Sequence, residues 1–129
     1  MISPRQKQSL LFIALAVALV LSGCRENPER HLKLGNWYLQ RGLLEEAILE
    51  YREVTRMMPG DYTTLSREEF DILTSAHYNL ALVYTKKGWW DSALKEALLS
   101  FELQPTKDNR SLVDLIRQRL ELGETSATH

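Results

Sequence analysis

The feature that most restricts the fold of this chain is an internal repeat. Six matched residue pairs recur at one spacing of 46 positions along the chain. Repeats of a few tens of residues are typical of stacked helical units, so two copies of one unit are expected. The pairs are His31 and His77, Leu34 and Leu80, Tyr38 and Tyr84, Gly42 and Gly88, Ala47 and Ala93, and Pro59 and Pro105.

Each copy has the residue pattern of two helices joined by a turn. Small residues at Ala47 and Ala93 allow two helices to approach closely, and Gly42 is placed in the turn between them. Proline ends a helix because it lacks an amide donor, so Pro59 and Pro105 should end the second helix of each hairpin. Apolar residues recur at helical spacing, as on a half-buried helix, at Ala47, Ile48, Tyr51, Val54 and Thr55.

Both copies resemble the tetratricopeptide repeat. The resemblance covers residues 28–61 and 74–107, and it implies a short helical-hairpin array. In the second copy Ala97 stands where the family has an aromatic residue, so Phe101 or a neighbour is expected to fill that place. The first copy carries Leu34, Gly35, Tyr38, Ala47, Tyr51 and Pro59, and the second carries Leu80, Ala81, Tyr84, Gly88, Ala93 and Pro105.

The expected fold is all-α, with two hairpins and a C-terminal capping helix. Residues 62–73 form an insert that should lengthen the next helix, because Ser66 and Glu69 fit a capping box. The capping helix is expected over 108–123, with Asp108 or Asn109 as its cap and Gly123 at its end. A flexible tail should follow over 124–129. The buried side of the capping helix is expected to carry Leu112, Leu115, Ile116 and Leu120.

The N-terminus has the pattern of a signal peptide over residues 1–23. Arg5 and Lys7 precede an apolar run of 12 residues from Leu10 to Leu21. A membrane-spanning helix needs about 20 apolar residues, so this run is short for a span. The alternative is an N-terminal anchor that is not cleaved.

The four residues Leu21-Ser22-Gly23-Cys24 resemble the lipobox of bacterial lipoproteins. The resemblance implies that Cys24, the only cysteine, carries a diacylglyceryl group and becomes an acylated N-terminus, with 24–27 as a lipidated linker. Several acyl chains would hold the protein at a membrane without a spanning helix. In Gram-negative lipoproteins an aspartate directly after the cysteine favours retention in the inner membrane, and this chain has Arg25 at that position instead. In a Gram-negative cell this implies the periplasmic face of the outer membrane.

Charge and motif content argue against several functions. Arg5 and Lys7 account for two of the 16 basic residues, so the other 14 face 17 acidic residues and the part after Gly23 has a net charge of −3. Nucleic-acid binders show a basic stripe instead. His31 and His77 lack further ligands at metal-binding spacing and are interpreted as packed residues. The sequence predicts no catalytic site, metal or cofactor.

The remaining expectation is a protein-binding role. In tetratricopeptide proteins the first helices of the hairpins line a groove, and Asn36 and Asn79 also match asparagines of a carboxylate clamp. The uncovered face of the first helix adds Trp37, unless the segment after Cys24 folds over it. Trp89 should point outward and Trp90 should lie in the core. The predicted partner-binding residues are Leu32, Asn36, Trp37, Leu39, Gln40, Tyr78, Leu82, Thr85 and Lys86.

Two functions remain open from the sequence. One is an envelope scaffold or assembly factor that binds another envelope protein, as the tetratricopeptide lipoproteins called pilotins do. The other is a structural lipoprotein that self-associates or braces a membrane enzyme complex.

Overall fold

The computed structural model describes residues 2–22, 26–58 and 60–127, and throughout these ranges the regular structure is helical. The expected all-α hairpin array is confirmed. Two hairpins, α2–α3 and α4–α5, are followed by the C-terminal helix α6, and α1 precedes them. The helices are α1 (Pro4–Ser22), α2 (Pro28–Gln40), α3 (Leu44–Met57), α4 (Arg67–Lys87), α5 (Trp90–Leu103) and α6 (Lys107–Ala127).

The two hairpin turns have the same backbone geometry. Gly42 and Gly88 both have φ of +72°, a left-handed conformation that glycine adopts without steric cost. In each turn the next amide returns to a tyrosine carbonyl: Leu43 N donates to Tyr38 O at 3.0 Å, and Trp89 N donates to Tyr84 O at 2.9 Å. The 46-residue repeat therefore corresponds to a repeated turn.

Small residues lie where the helices meet. Ala47, Ala93 and Ala97 are fully buried, as the expected close helix approach requires. The apolar stripe predicted on α3 is also confirmed, because Ile48, Tyr51 and Val54 are buried and Thr55 is half-buried. Phe101 packs against the core, and so does Trp90, which remains half-buried.

The predicted insert lengthens α4. After a short 3-10 turn (Tyr62–Thr64), Ser66 accepts from Glu69 N at 3.2 Å, and the Glu69 carboxylate accepts from Ser66 N at 2.8 Å. This is the expected capping box. With 21 residues against the 13 of α2, α4 extends by about two turns beyond its partner in the first hairpin.

The predicted limits of the C-terminal helix were wrong. Thr106, not Asp108 or Asn109, is the cap, since its hydroxyl accepts from Asn109 N at 3.2 Å. Asn109 instead donates its amide to the carbonyls of Ser100 and Gln104, where α5 ends. Gly123 does not end α6, which continues to Ala127 through part of the predicted tail, because glycine ends a helix only when it leaves the helical conformation.

The predicted buried side of α6 was wrong at one position. Leu115 is 56% exposed, whereas Val113 is buried. Val113 lies on the same side as Ile116 and Leu120, at spacings of three and seven residues, while Leu115 is turned away by the 100° step of the helix.

The features predicted for the N-terminus fall partly outside the described residues. Gly23 and Cys24 of the predicted lipobox lie outside them, as do Pro59 and the last two residues of the predicted tail. The apolar run lies on α1, whose described side chains from Leu10 to Ile13 are exposed. Among the described residues, we find no helix of sufficient length and apolar character to span a bilayer.

Candidate protein-binding groove

A groove runs between α2 and α4. It consists of two adjoining clefts, of about 630 and about 430 Å³, that share Leu32, Asn36 and Ser75. The extension of α4 forms one wall of the larger cleft, and the junction of α5 and α6 closes the smaller one. The larger cleft is also lined by Glu29, Lys33, Arg67, Glu68, Asp71 and Ile72, and the smaller by Thr74, Tyr78, Asn79, Gln104, Thr106, Asp108 and Asn109.

A hydrogen-bonded set of three side chains fixes the floor of the groove. Asn36 Oδ1 accepts from the Tyr51 hydroxyl at 2.8 Å and from Asn79 Nδ2 at 2.8 Å, which links α2, α3 and α4. Burial raises the pKa of Tyr51 to about 12. Because Asn36 and Asn79 bind each other, these amides hold the two hairpins together. That role differs from the carboxylate clamp they were matched to.

The groove carries an excess of negative charge. Its carboxylates are Glu29, Glu68, Asp71 and Asp108, and its cations are Lys33 and Arg67, which leaves a net charge of −2. Lys33 is already paired with Glu29. Asp71 accepts a hydrogen bond from Gln104 at 3.3 Å. Leu32 and Ile72 supply an apolar surface between these charges.

Three of the predicted binding residues line this groove, namely Leu32, Asn36 and Tyr78. The others lie outside it, closer to the hairpin turns. Leu39 and Leu82 pack against the core, and the Thr85 hydroxyl bonds within its own helix to Leu82 O. Gln40 and Lys86 are exposed near the C-terminal ends of α2 and α4.

The insert contributes more to the groove than the sequence indicated. Arg67, Glu68, Asp71 and Ile72 all belong to it, whereas the predicted binding residues all lie within the two repeats. The capping box showed that the helix would be lengthened. The contact of the lengthened helix with the start of α2 depends on how the two hairpins stack, which the local sequence pattern does not indicate.

Each hairpin also contains one histidine–carboxylate pair. His31 Nδ1 lies 2.6 Å from Glu50 Oε2, and His77 Nδ1 lies 2.7 Å from Glu96 Oε2. Both pairs join the two helices of their hairpin, and the packed interpretation of the histidines holds for both. The sequence contained an indication of these carboxylate partners, because Glu50 and Glu96 also recur at the 46-residue spacing. Among the described residues no three potential ligands gather to hold a metal ion.

Trp37 lies on the other side of α2, away from the groove. It is 46% exposed and borders a third cleft of about 590 Å³. This cleft shares Glu29 and Lys33 with the larger cleft of the groove, and Asn27, Arg30, Leu34 and Tyr38 complete its lining. The Arg41 guanidinium stacks over its ring at 4.1 Å. Trp89 is 48% exposed, as expected, and Lys87 lies over its ring at 4.3 Å.

Comparison with known proteins gives no relative for this chain. No family model matches it, and searches of the curated proteins and of the solved structures find no match.

Proposed function

We propose that this chain is a lipid-anchored protein of the bacterial envelope that binds a segment of another envelope protein in the groove between α2 and α4. The observation that carries the proposal is the groove itself, which has an apolar centre and a hydrogen-bonded floor. A helix or extended segment bound in such a groove would use an apolar anchor for affinity. The protein would act as a scaffold or assembly factor, as pilotins do.

The tetratricopeptide resemblance supports this proposal. Both hairpins have equivalent glycine turns and equivalent buried alanines, and the first helices of the hairpins line the groove. The lipobox-like residues before Cys24 support anchoring of the domain at a membrane, on the periplasmic side of the outer membrane in a Gram-negative cell.

The charges of the groove suggest the chemistry of the partner segment. Leu32 and Ile72 would contact one apolar side chain of the partner. The carboxylates of Glu68 and Asp108 have no cationic partner among the described ion pairs, so they would attract a lysine or arginine nearby. The partner segment therefore combines an apolar anchor with basic residues.

The direct test blocks the groove without removing a core side chain. Ser75 is half-buried and borders both clefts, so Ser75→Arg should fill the centre of the groove and add a charge there. We expect partner recovery from detergent-solubilised membranes to fall at least about tenfold, the effect of losing about 1.4 kcal/mol of binding free energy. Ser111→Arg, on the exposed side of α6, is the matched control.

Circular dichroism should show equal helix content in both variants. If Ser75→Arg recovers the same proteins as Ser111→Arg, binding does not use the groove. If only the chain itself is recovered, the protein self-associates and the scaffold proposal is wrong.

A further inference from the structure

The outer side of α2 carries a stripe of basic and apolar residues. Arg30, Leu34, Trp37 and Arg41 are spaced by four, three and four residues, so they share one face of the helix. We call these four residues the outer stripe. Successive residues turn by about 100° around a helix, which places the outer stripe on nearly the opposite side of α2 from Leu32 and Asn36 in the groove.

The equivalent face of α4 shows what this side of a hairpin normally contacts. The residues of α4 that lie 46 positions after Arg30, Leu34 and Trp37 are all buried. They are Ala76, Leu80 and Val83. Lys87, in the place of Arg41, is paired with Glu45 of α3. In the second hairpin this face is therefore covered by the first hairpin.

The outer stripe is not suited to a further hairpin of the same kind. Arg30 stands where the second hairpin has the fully buried Ala76, and Trp37 stands in the place of Val83. A hairpin stacked in that position would bury the Arg30 guanidinium, which is strongly unfavourable without a carboxylate partner. The residues of the stripe suit a polar, negatively charged surface better.

The basic residues of the stripe are available for such a surface. Among the described residues, neither Arg30 nor Arg41 forms an ion pair, and Glu26 before α2 is bound to Arg56 of α3 at 3.0 Å. Arginine binds phosphate through two parallel hydrogen bonds, and tryptophan favours the interface between lipid headgroups and water. The stacked pair of Trp37 and Arg41 combines both properties.

The proposed anchor would bring the start of this face to a membrane. Cys24 precedes Pro28 by four residues, a reach of at most about 14 Å in extended chain. The 13 residues of α2 span about 20 Å. A lipid on Cys24 would therefore keep the N-terminal end of α2, where the outer stripe begins, within about 14 Å of the bilayer surface. The residues of the stripe themselves would then hold the rest of α2 along that surface.

We infer that the outer stripe of α2 lies on the membrane and binds the phosphates of anionic lipids. The inference rests on the lipid anchor of the proposed function. It orients the domain so that Leu32 and Asn36, on the other side of α2, face away from the bilayer and stay open to the partner. Glu29 and Lys33 lie where the cleft beside Trp37 meets the larger cleft of the groove.

The test uses the full lipidated chain in vesicles, with Trp37 as the single tryptophan after Trp89→Phe and Trp90→Phe. We expect acrylamide quenching of Trp37 to fall at least about twofold in vesicles containing phosphatidylglycerol, relative to neutral detergent, because the ring enters the headgroup region. Added salt at about 1 M should reverse the change, since it shortens the Debye length to about 3 Å. Arg30→Gln with Arg41→Gln should abolish it, whereas Arg117→Gln on α6 should not.

The outcomes separate this inference from the lipid anchor. Mass spectrometry of the N-terminal peptide reports the anchor, so a chain without lipid contradicts the proposed function itself. An anchored chain whose Trp37 remains open to acrylamide contradicts the inference alone. Equal protection in phosphatidylcholine vesicles contradicts the role of anionic lipid, and protection only after addition of membrane proteins would assign the outer stripe to a protein.

Discussion

Gly35 lies directly beneath the aromatic ring of Tyr51 in the first hairpin. A Cβ atom at Gly35 would come within 2.5 Å of Tyr51 Cε1, which is far closer than van der Waals contact allows. The ring cannot easily move away, because Tyr51 is fully buried and its hydroxyl is bound to Asn36. In the second hairpin the equivalent residues are Ala81 and Ala97, so a larger first residue faces a smaller second one. In each hairpin the two facing side chains fill one space, so a larger residue at one position requires a smaller residue at the other.

This exchange of volume predicts opposite effects of one substitution in two backgrounds. Gly35→Ala should destabilise the wild-type chain by about 1–3 kcal/mol through overpacking. With Tyr51→Ala already present, the same change should be neutral or stabilise by up to about 1 kcal/mol, because alanine favours helix more than glycine. Urea denaturation of the wild type, the two single variants and the double variant measures the free energy of unfolding of each and completes the double-mutant cycle. A cost that is equal in both backgrounds would show that Tyr51 does not restrict Gly35.

Tyr51 also predicts a pH dependence of stability. Burial raises its pKa from 10.0 to about 12, so the folded protein holds the phenolic proton at pH values where the unfolded chain loses it. The stabilisation is complete below pH 10 and declines as the pH rises towards 12. The decline should be about 2–3 kcal/mol, from a shift of about two pKa units. Denaturation at several pH values should show it in the wild type but not in Tyr51→Phe, after subtraction of the effects of the other tyrosines.

At the scale of elements, the extension of α4 is the feature that gives the groove its larger cleft. The extension begins at the capping box, where Ser66 and Glu69 satisfy two amides that the first turn leaves without helical partners. Hydrogen bonds from Ser66 to the Glu69 carboxylate, first of all from the Ser66 backbone amide, lower the pKa of the Glu69 carboxyl. We expect the stability of this one helix end to determine how well the wall formed by Arg67, Glu68 and Asp71 is ordered.

Ser66→Ala should cost about 1 kcal/mol of unfolding free energy, the usual effect of losing an N-cap. It should also speed amide hydrogen exchange in the first turn of α4, because the wall would open locally without global unfolding. Ser111→Ala, an exposed serine whose hydroxyl bonds back to Lys107 O, is the control and should change neither quantity. Unchanged exchange in Ser66→Ala would mean that packing against α2, and not the cap, orders the wall.

At the scale of the whole molecule, two different surfaces lie on different sides of α2. One side of α2 faces the groove, the other carries the outer stripe, and its N-terminus follows the proposed anchor by four residues. In this arrangement a single short helix would connect the membrane to the bound partner. The two hairpins would then serve mainly to hold α2 and the extended α4 at a fixed spacing, through Asn36, Tyr51 and Asn79.

The proposed lipid anchor predicts a biochemical phenotype. Cys24→Ala should abolish lipid attachment and leave the uncleaved precursor, because the cysteine sulfur is the atom that carries the diacylglyceryl group in lipoproteins. Metabolic labelling with palmitate and gel mobility measure the two effects. Ser22→Ala, which keeps a small residue before the cysteine, should be processed normally. Palmitate labelling that persists in Cys24→Ala would contradict the lipoprotein assignment.

The sequence by itself determined the helical hairpins, the turns and the capping box. These features depend on local patterns: apolar spacing along one helix, a glycine with positive φ, and a serine three residues before a glutamate. The repeat spacing also located the buried alanines, because equivalent residues occupy equivalent environments in stacked units. Lipidation of Cys24 remains a prediction, since Cys24 lies outside the described residues.

Only the tertiary structure decided which predicted residues share a site. Leu32, Asn36 and Tyr78 border the groove whereas Trp37 does not, and the insert supplies a wall that no repeat position indicated. The exposed Leu115 and the cap at Thr106 were also decided at this level. The physical reason is that these properties depend on how one helix rotates and stacks against another, and contacts between residues distant in sequence fix that rotation.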